Sequence, residues 1–251
     1  MKPRKHPIEV FYPETSFGGF SRVDGAMAFY LRVESLLRPD DVVLDIGCGR
    51  GAAAEDPVPS RRHLRILKGR CARVIGIDQD DSAAHNQCID EFRSIVAPRW
   101  PIEDETIDLC LADSVLEHVA RPDAFFAECA RVLKPGAFLC VTTPNSLGYV
   151  AIAARVIPNT AHPFVLRGLQ PDRDSIDVFP TYYRSNSPRR LRDALSRHGF
   201  TACVYGHGAE PAYLGFSRPA YALGVAWARI APSALQNTLF AFATRSPGET
   251  P

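Results

Sequence analysis

The sequence predicts an α/β fold built on a mainly parallel sheet, and three observations carry that expectation. Apolar strand-like runs alternate with helix-periodic segments along the whole chain. One such strand, Val42–Ile46, runs straight into the glycine-rich turn Gly47-Cys48-Gly49-Arg50-Gly51. Another, Arg73–Asp78, ends in an acid. Together these place carboxylates and a glycine loop at the carboxyl edge of a parallel sheet, where nucleoside-containing cofactors bind.

At 251 residues, 46% of them hydrophobic, the chain suffices for one large core with small elaborations, so a single domain over 1–251 is expected. With 29 basic against 28 acidic residues it offers no bulk field for nucleic acid. The seven cysteines form no CxxC and no Cys/His cluster, so no metal site is expected. Their odd number and the lack of an amino-terminal apolar run predict a reducing cytoplasm.

The elements follow in order. Residues 1–40 read as an amino-terminal helical extension, with helix-like apolar spacing over Ala26–Leu37 and a stop before Pro39. After the strand and glycine turn, Glu55-Asp56-Pro57-Val58-Pro59-Ser60 cannot continue a helix smoothly, so the first crossover helix is interrupted or delayed until about Arg61–Lys68. The strand ending at Asp78 leads to a helix expected from Asp80 or Asp81, then a short strand near Ser94–Ala97. Ile107–Ala112 is a further strand. Pro122–Val132 is a helix whose Phe125, Phe126, Cys129 and Val132 share one face, ended by Lys134-Pro135-Gly136, and Ala137–Thr142 is the next strand. Ser187–His198 opens on a serine cap followed by proline and closes at Gly199. Ala202–Tyr205 and Leu239–Thr244 complete seven strands.

Two long connections interrupt this pattern, and connections of that length commonly bind ligands. Residues 145–186 form an acceptor-side insertion, and 206–237 a second insertion between the last two strands. The apolar run Ala220–Ile230 is too short to span a bilayer. Its expected role is packing within the chain, with a homodimer interface or a membrane-surface contact as the alternatives.

Gly47 and Gly49 let the backbone turn sharply and approach a ligand. Asp45, in the same turn, can receive hydrogen bonds from a cationic amine, and Asp78 can accept both hydroxyls of a ribose. A pyrophosphate cofactor would prefer G-x-G-x-x-G with a clean helix start behind it. Here the pattern is Gly47-x-Gly49-x-Gly51 with an acid before it, awkward beside two phosphates and suited to a sulfonium donor with an amino-acid tail. A nicotinamide-dependent oxidoreductase is therefore disfavoured.

With these residues, the chain resembles the class I S-adenosylmethionine-dependent methyltransferases, in pattern the type 11 or ubiquinone/menaquinone-biosynthesis-like small-molecule branch. Asp45–Gly51 resembles the donor loop and Val74–Asp78 the strand ending in the ribose-binding acid. Trp100–Leu109, Ser114–Val119 and Arg131–Val141 resemble later blocks in the expected order. The resemblance implies a Rossmann-like fold, a mainly parallel seven-stranded sheet with helices on both faces, and S-adenosylmethionine as cofactor with S-adenosylhomocysteine as product. It assigns donor binding to Asp45, Gly47, Cys48, Gly49, Asp78, Gln79, Asp113 and Ser114. One departure is that Ile95–Trp100 carries no acid where the family often has one beside adenine.

Methyl transfer asks the protein to position a nucleophile and exclude water. His118 is the candidate base, by its place beyond the strand ending near Ala112 and its titration range, with local packing as its structural alternative. Asn145, His162, Tyr182, Tyr183 and Arg184 are the candidate acceptor contacts. Residues 145–186 resemble, more loosely, methyltransferases of sugar, lipid or polyketide tailoring, which implies a small-molecule acceptor of that type, methylated on oxygen or nitrogen rather than carbon, with no nucleic acid involved. The alternatives are methylation of a protein or RNA, and a non-catalytic binding module with the same fold.

Overall fold

The computed structural model describes residues 6–156 and 180–247. Its frame is one seven-stranded sheet in the order β3-β2-β1-β4-β5-β7-β6. The strands are β1 (Val42–Ile46), β2 (Arg73–Asp78), β3 (Glu91–Ser94), β4 (Ile107–Asp113), β5 (Leu133–Pro144), β6 (Phe200–His207) and β7 (Thr238–Arg245). β1 to β5 pair in parallel, and β7 lies antiparallel between β5 and β6. The α-helices among the described residues are α1 (Pro7–Phe11), α2 (Gly25–Leu36), α3 (Pro59–Arg65), α4 (Pro122–Val132), α5 (Tyr149–Val156), α6 (Pro188–Arg197) and α7 (Arg218–Ile230).

Both sheet faces are covered, which is why the central strands read as near-continuous apolar runs. On one face Val43, Val74, Leu109, Leu111 and Cys140 pack against Phe29, Tyr30 and Val33 of α2 and Leu64 of α3. On the other, Leu44, Ile46, Ile77, Cys110 and Val141 pack against Phe126 and Cys129 of α4 and Leu191 and Leu195 of α6. Successive strand residues point to opposite faces. Asp45 therefore shares the α2/α3 face with Val43, Asp78 shares it with Val74, and Asp113 shares it with Leu109 and Leu111. All three acids sit at the carboxyl ends of adjacent strands, on the face that α2 and α3 cover.

Several boundaries differ from expectation. The crossover after β1 is divided, as the prolines predict: a 3-10 turn at Ala52–Glu55, then α3 from Pro59. No α-helix starts at Asp80 or Asp81. That stretch forms a 3-10 turn, Asp81–His85, capped by Asp80 accepting from Ser82 N–H. The twelve residues between Asp78 and β3 leave too little chain for a helix and its return. β3 is Glu91–Ser94 rather than 94–97, because Ile75 to Asp78 recruit Glu91 to Ser94 into register. Lys134-Pro135-Gly136 does not separate α4 from the following strand. β5 already begins at Leu133, paired to Ile107, and absorbs the proline and a left-handed Gly136 (φ 80°) through a register shift.

Outside the sheet, α7 buries Tyr221 and Val225 against Tyr12. Its Leu223 and Ile230 face outward, 73% and 78% exposed. Among the described residues no helix is long and apolar enough to cross a membrane.

Candidate active site

The glycine loop is held from three sides. Ile77 O accepts from Gly47 N–H at 2.7 Å, so the loop continues the β1–β2 pairing by one more bond. Asp78 Oδ2 accepts from Gly49 N–H at 3.0 Å, while its Oδ1 accepts from Asp80 N–H at 2.9 Å. Asn86 Nδ2 donates to the carbonyls of Cys48 and Gly49 at 2.9 and 3.1 Å. Gly47 (φ 66°) and Gly51 (φ 86°) adopt left-handed backbone. A Cβ on Gly47 would meet Val115 Cγ2 at 2.6 Å, and one on Gly51 would meet Asn86 Oδ1 at 2.5 Å. These two glycines are fixed both by conformation and by space.

Between this loop and the α2/α3 cover lies a cavity of about 220 Å³. Asp45, Gly47, Cys48, Gly49, Asp113 and Ser114 line it, which brings together six of the eight expected donor residues. Asp78 stands behind the loop, joined to it through Gly49 N–H, and Gln79 is exposed beside it, outside the cavity lining. Asp113 does not cap a helix. As the last residue of β4 it accepts from the Tyr30 hydroxyl at 2.8 Å and from Ser114 Oγ at 3.0 Å. Tyr30, Arg65 and Asn86 also line the cavity. Nothing local in the sequence marked them, because α2 and α3 reach the site only through tertiary packing and Asn86 only through the turn after β2.

The electrostatics of this cavity favour a cation. Burial, then the charges of Asp113 and Asp78, push the Asp45 carboxyl up to about 7, against which Arg65 acts in the opposite direction. A carboxylate held near neutrality by burial and like-charged neighbours gains most from a positively charged ligand. Tyr30, pushed well above its ordinary value by burial and then by Asp113 and Asp45, stays a hydrogen-bond donor.

The other end of the carboxyl edge is organised differently. Glu117, on the 3-10 turn Leu116–His118, is buried, and its carboxylate accepts from Thr143 Oγ1 at 3.0 Å. Asn186 Nδ2 donates to the same Thr143 oxygen at 2.6 Å. Glu117 O accepts from Tyr182 N–H at 2.7 Å, which lays the 180–187 segment along this turn. His118 Nδ1 meets Pro180 O at 2.9 Å. A carbonyl only accepts, so Nδ1 carries the proton of the neutral ring and Nε2 is its basic nitrogen. His118 does not line the cavity beside the glycine loop.

The expected acceptor residues separate. Asn145 is withdrawn from that set: Nδ2 donates to Ala234 O and Gln236 O at 2.9 and 2.7 Å, and Oδ1 accepts from Leu147 N–H at 3.0 Å. With both amide protons and the oxygen engaged, it ties β5 to the chain entering β7. Tyr182 is exposed, and Tyr183 takes a left-handed conformation (φ 51°) beside it. Arg184 lines a second recess with Arg190, Arg197 and Asp123. His162 lies outside the described residues.

Residues 44–141 match the family described as Methyltransferase domain. Over these residues the chain is similar to the type 11 methyltransferase domain. It is similar to a ubiquinone biosynthesis O-methyltransferase of Mesorhizobium japonicum, 33% identical over 138 residues, 49% of this chain and 51% of that protein. A probable S-adenosylmethionine-dependent methyltransferase of Mycolicibacterium smegmatis is 31% identical over 112 residues, 43% of this chain and 39% of that protein. The chain thus spans about half or less of the length of these curated relatives. Among solved structures, geranyl diphosphate C-methyltransferase from Streptomyces coelicolor aligns with a TM-score of 0.53 at 16% identity, over 87% of this chain and 78% of that one. The cyclase SpnF aligns with a TM-score of 0.52 at 16% identity, over 88% and 81%. That these two neighbours differ in chemistry illustrates why the fold alone does not name an acceptor.

Proposed function

We propose that the protein transfers the methyl group of S-adenosylmethionine to an oxygen or nitrogen of a small-molecule acceptor. The observation that carries this reading is the convergence of Asp45, Asp78 and Asp113 on one sheet face around a left-handed glycine loop. The residues fit the donor. Buried acids suit its ammonium and sulfonium charges, Asp78 keeps lone pairs for ribose hydroxyls beyond the two amides it accepts from, and the loop leaves no Cβ in the way. When bound, the donor supplies a methyl group on a sulfonium leaving group.

The chain's own residues bind and align. Asp78 fixes the nucleoside, while Asp45 and Asp113 hold the charged end. His118 is the proposed base: with Nδ1 committed to Pro180 O, Nε2 takes the acceptor proton as the new bond to carbon forms and the carbon–sulfur bond breaks. Tyr182, Tyr183 and Arg184 are proposed to meet the acceptor. The names of the ubiquinone-biosynthesis relatives support oxygen as the atom methylated. A sugar, lipid or polyketide-like acceptor and a cytoplasmic setting belong to the same reading. So does self-association through the exposed side of α7, which light scattering would check. A non-catalytic module would be favoured by acids that fail to converge. Here the charge of Asp78 acts on Asp45.

The test is calorimetric titration with S-adenosylmethionine, S-adenosylhomocysteine and NAD, followed by radiolabelled methyl transfer to 3,4-dihydroxybenzoate and other hydroxylated acceptors. Micromolar binding of the first two ligands alone, with transfer to oxygen, is the expected result. Absence of binding by folded protein overturns the reading.

A further inference from the structure

The divided crossover after β1 has a consequence for ligand recognition. α3 starts only after the 3-10 turn and Pro57, and its last residue, Arg65, lines the same cavity as Asp45 and Asp113. A guanidinium beside two acids that await a cation is unexpected if the ligand is only a cation. It is explained if the ligand's charged end is a zwitterion.

We propose that Arg65 binds the α-carboxylate of the donor's amino-acid tail, while Asp45 and Asp113 hold its α-ammonium. This rests on the donor-binding reading above and deepens it, by assigning the carboxylate subsite to a residue of the interrupted helix.

Three observations support the assignment over a structural role. First, Arg65 is weakly engaged within the protein: its one described hydrogen bond, Nη1 to Asp56 Oδ2, is 3.3 Å long. Second, Asp56 does not depend on it. Arg61 donates to both Asp56 oxygens at 2.6 and 2.8 Å, and Val58 N–H donates to Oδ1 at 3.0 Å. Arg61 also reaches Asp24, the α2 cap, at 2.7 Å, so the α2–α3 junction is closed by Arg61 and not by Arg65. Third, the charge of Arg65 bears on Tyr30, Asp113 and Asp45, the groups that surround the cavity. Arg50 is the other guanidinium in the lining, but its charge acts on Asp80, which does not line the cavity. A planar fork with most of its donors uncommitted matches a carboxylate bidentately.

The test compares three ligands on wild-type protein and the Arg65→Ala and Arg65→Gln variants by calorimetry. They are S-adenosylhomocysteine, its decarboxylated form S-adenosyl-3-thiopropylamine, and 5′-methylthioadenosine, which lacks the tail. A charge-assisted contact of this kind corresponds to about tenfold or more in affinity. Wild type is expected to prefer S-adenosylhomocysteine over the decarboxylated amine by about that factor. In both variants the preference falls to about one, with 5′-methylthioadenosine affinity unchanged. Retention of the preference in the variants overturns the assignment, as does an equal loss for all three ligands, which marks Arg65 as a structural support. Failure of wild type to bind any of the three sinks the donor-site reading itself, a result distinct from binding with an unaltered preference.

Discussion

The two ends of the sheet's carboxyl edge contain similar polar residues put to opposite use. Around the glycine loop, Asp45, Asp113 and Arg65 surround a cavity and retain bonding capacity that no group among the described residues uses. Around β5, Glu117, Thr143, Asn145 and Asn186 are buried and bonded to one another or to backbone. A buried polar group is stable only when its bonds are made. Glu117, Thr143 and Asn145 make theirs within the fold, with Asn186 Oδ1 the buried atom left unpaired at that end, and the first set leaves some to be made by a ligand. Incomplete bonding around an open cavity separates a binding group from a structural one better than residue type does.

The largest expected effect comes from Asp78→Ala. It removes the acceptor for Gly49 and Asp80 amides together with the proposed ribose contact. With two or more charge-assisted hydrogen bonds lost, S-adenosylhomocysteine affinity should fall by about 100-fold or more. Calorimetry on protein with wild-type circular dichroism checks this. Affinity within a few-fold of wild type would erase the distinction between the two ends.

Asp45→Asn should act in two directions at once. Losing the carboxylate weakens S-adenosylhomocysteine by about tenfold or more. Stability should move the other way. The folded carboxyl titrates at about 7 against 3.8 for the unfolded group, so ionising it between those values disfavours the folded state. Stability therefore declines as pH rises from about 4 to 7, and the asparagine variant escapes that decline. A rise of about three pH units corresponds to a penalty on the order of 4 kcal/mol, so the variant should melt higher at pH 8 and gain little near pH 4. Donor affinity in wild type should increase with pH up to about 7, as the ammonium meets a carboxylate already ionised. A pH-independent affinity would remove Asp45 from the ammonium site.

The closed end should answer through stability. Glu117→Ala leaves the Thr143 hydroxyl without its acceptor in a buried setting, a loss of about 2–3 kcal/mol by denaturant titration, with S-adenosylhomocysteine affinity changed less than about twofold. Asn145→Ala should behave alike at about 1–2 kcal/mol. A fall in donor affinity that parallels neither would show that the two ends are coupled.

Much of the donor end was legible in the sequence because its information is local. A strand, an acid and three glycines lie within the ten residues Val42–Gly51, and strand alternation sets the facing of Asp45 and Asp78 before any packing is known. Arg65, Tyr30 and Asn86 were not legible. Each reaches the site from an element whose placement depends on how α2, α3 and the Asp81–His85 turn pack. The acceptor end misled for a related reason. Asn145 follows β5 where an exposed polar residue would serve a ligand, but the chain between α7 and β7 folds back and consumes its hydrogen bonds. Periodicity placed α4 to the residue, Pro122–Val132, and misplaced β3, whose bounds are set by its pairing to β2.

His118 is where the comparison is sharpest, because it belongs to the closed end by position and to the chemistry by proposal. Glutamine keeps a donor that can face Pro180 O, so His118→Gln should change stability by less than about 1 kcal/mol. S-adenosylhomocysteine affinity should stay within about twofold, since the residue does not line the donor cavity. If Nε2 is the base, methyl transfer to a hydroxyl should still fall by about 100-fold or more, and raising the pH to ionise the acceptor should restore part of it. An equal loss at every pH would point instead to displacement of the 180–187 segment through Pro180. Unchanged transfer would return His118 to the structural set with Glu117.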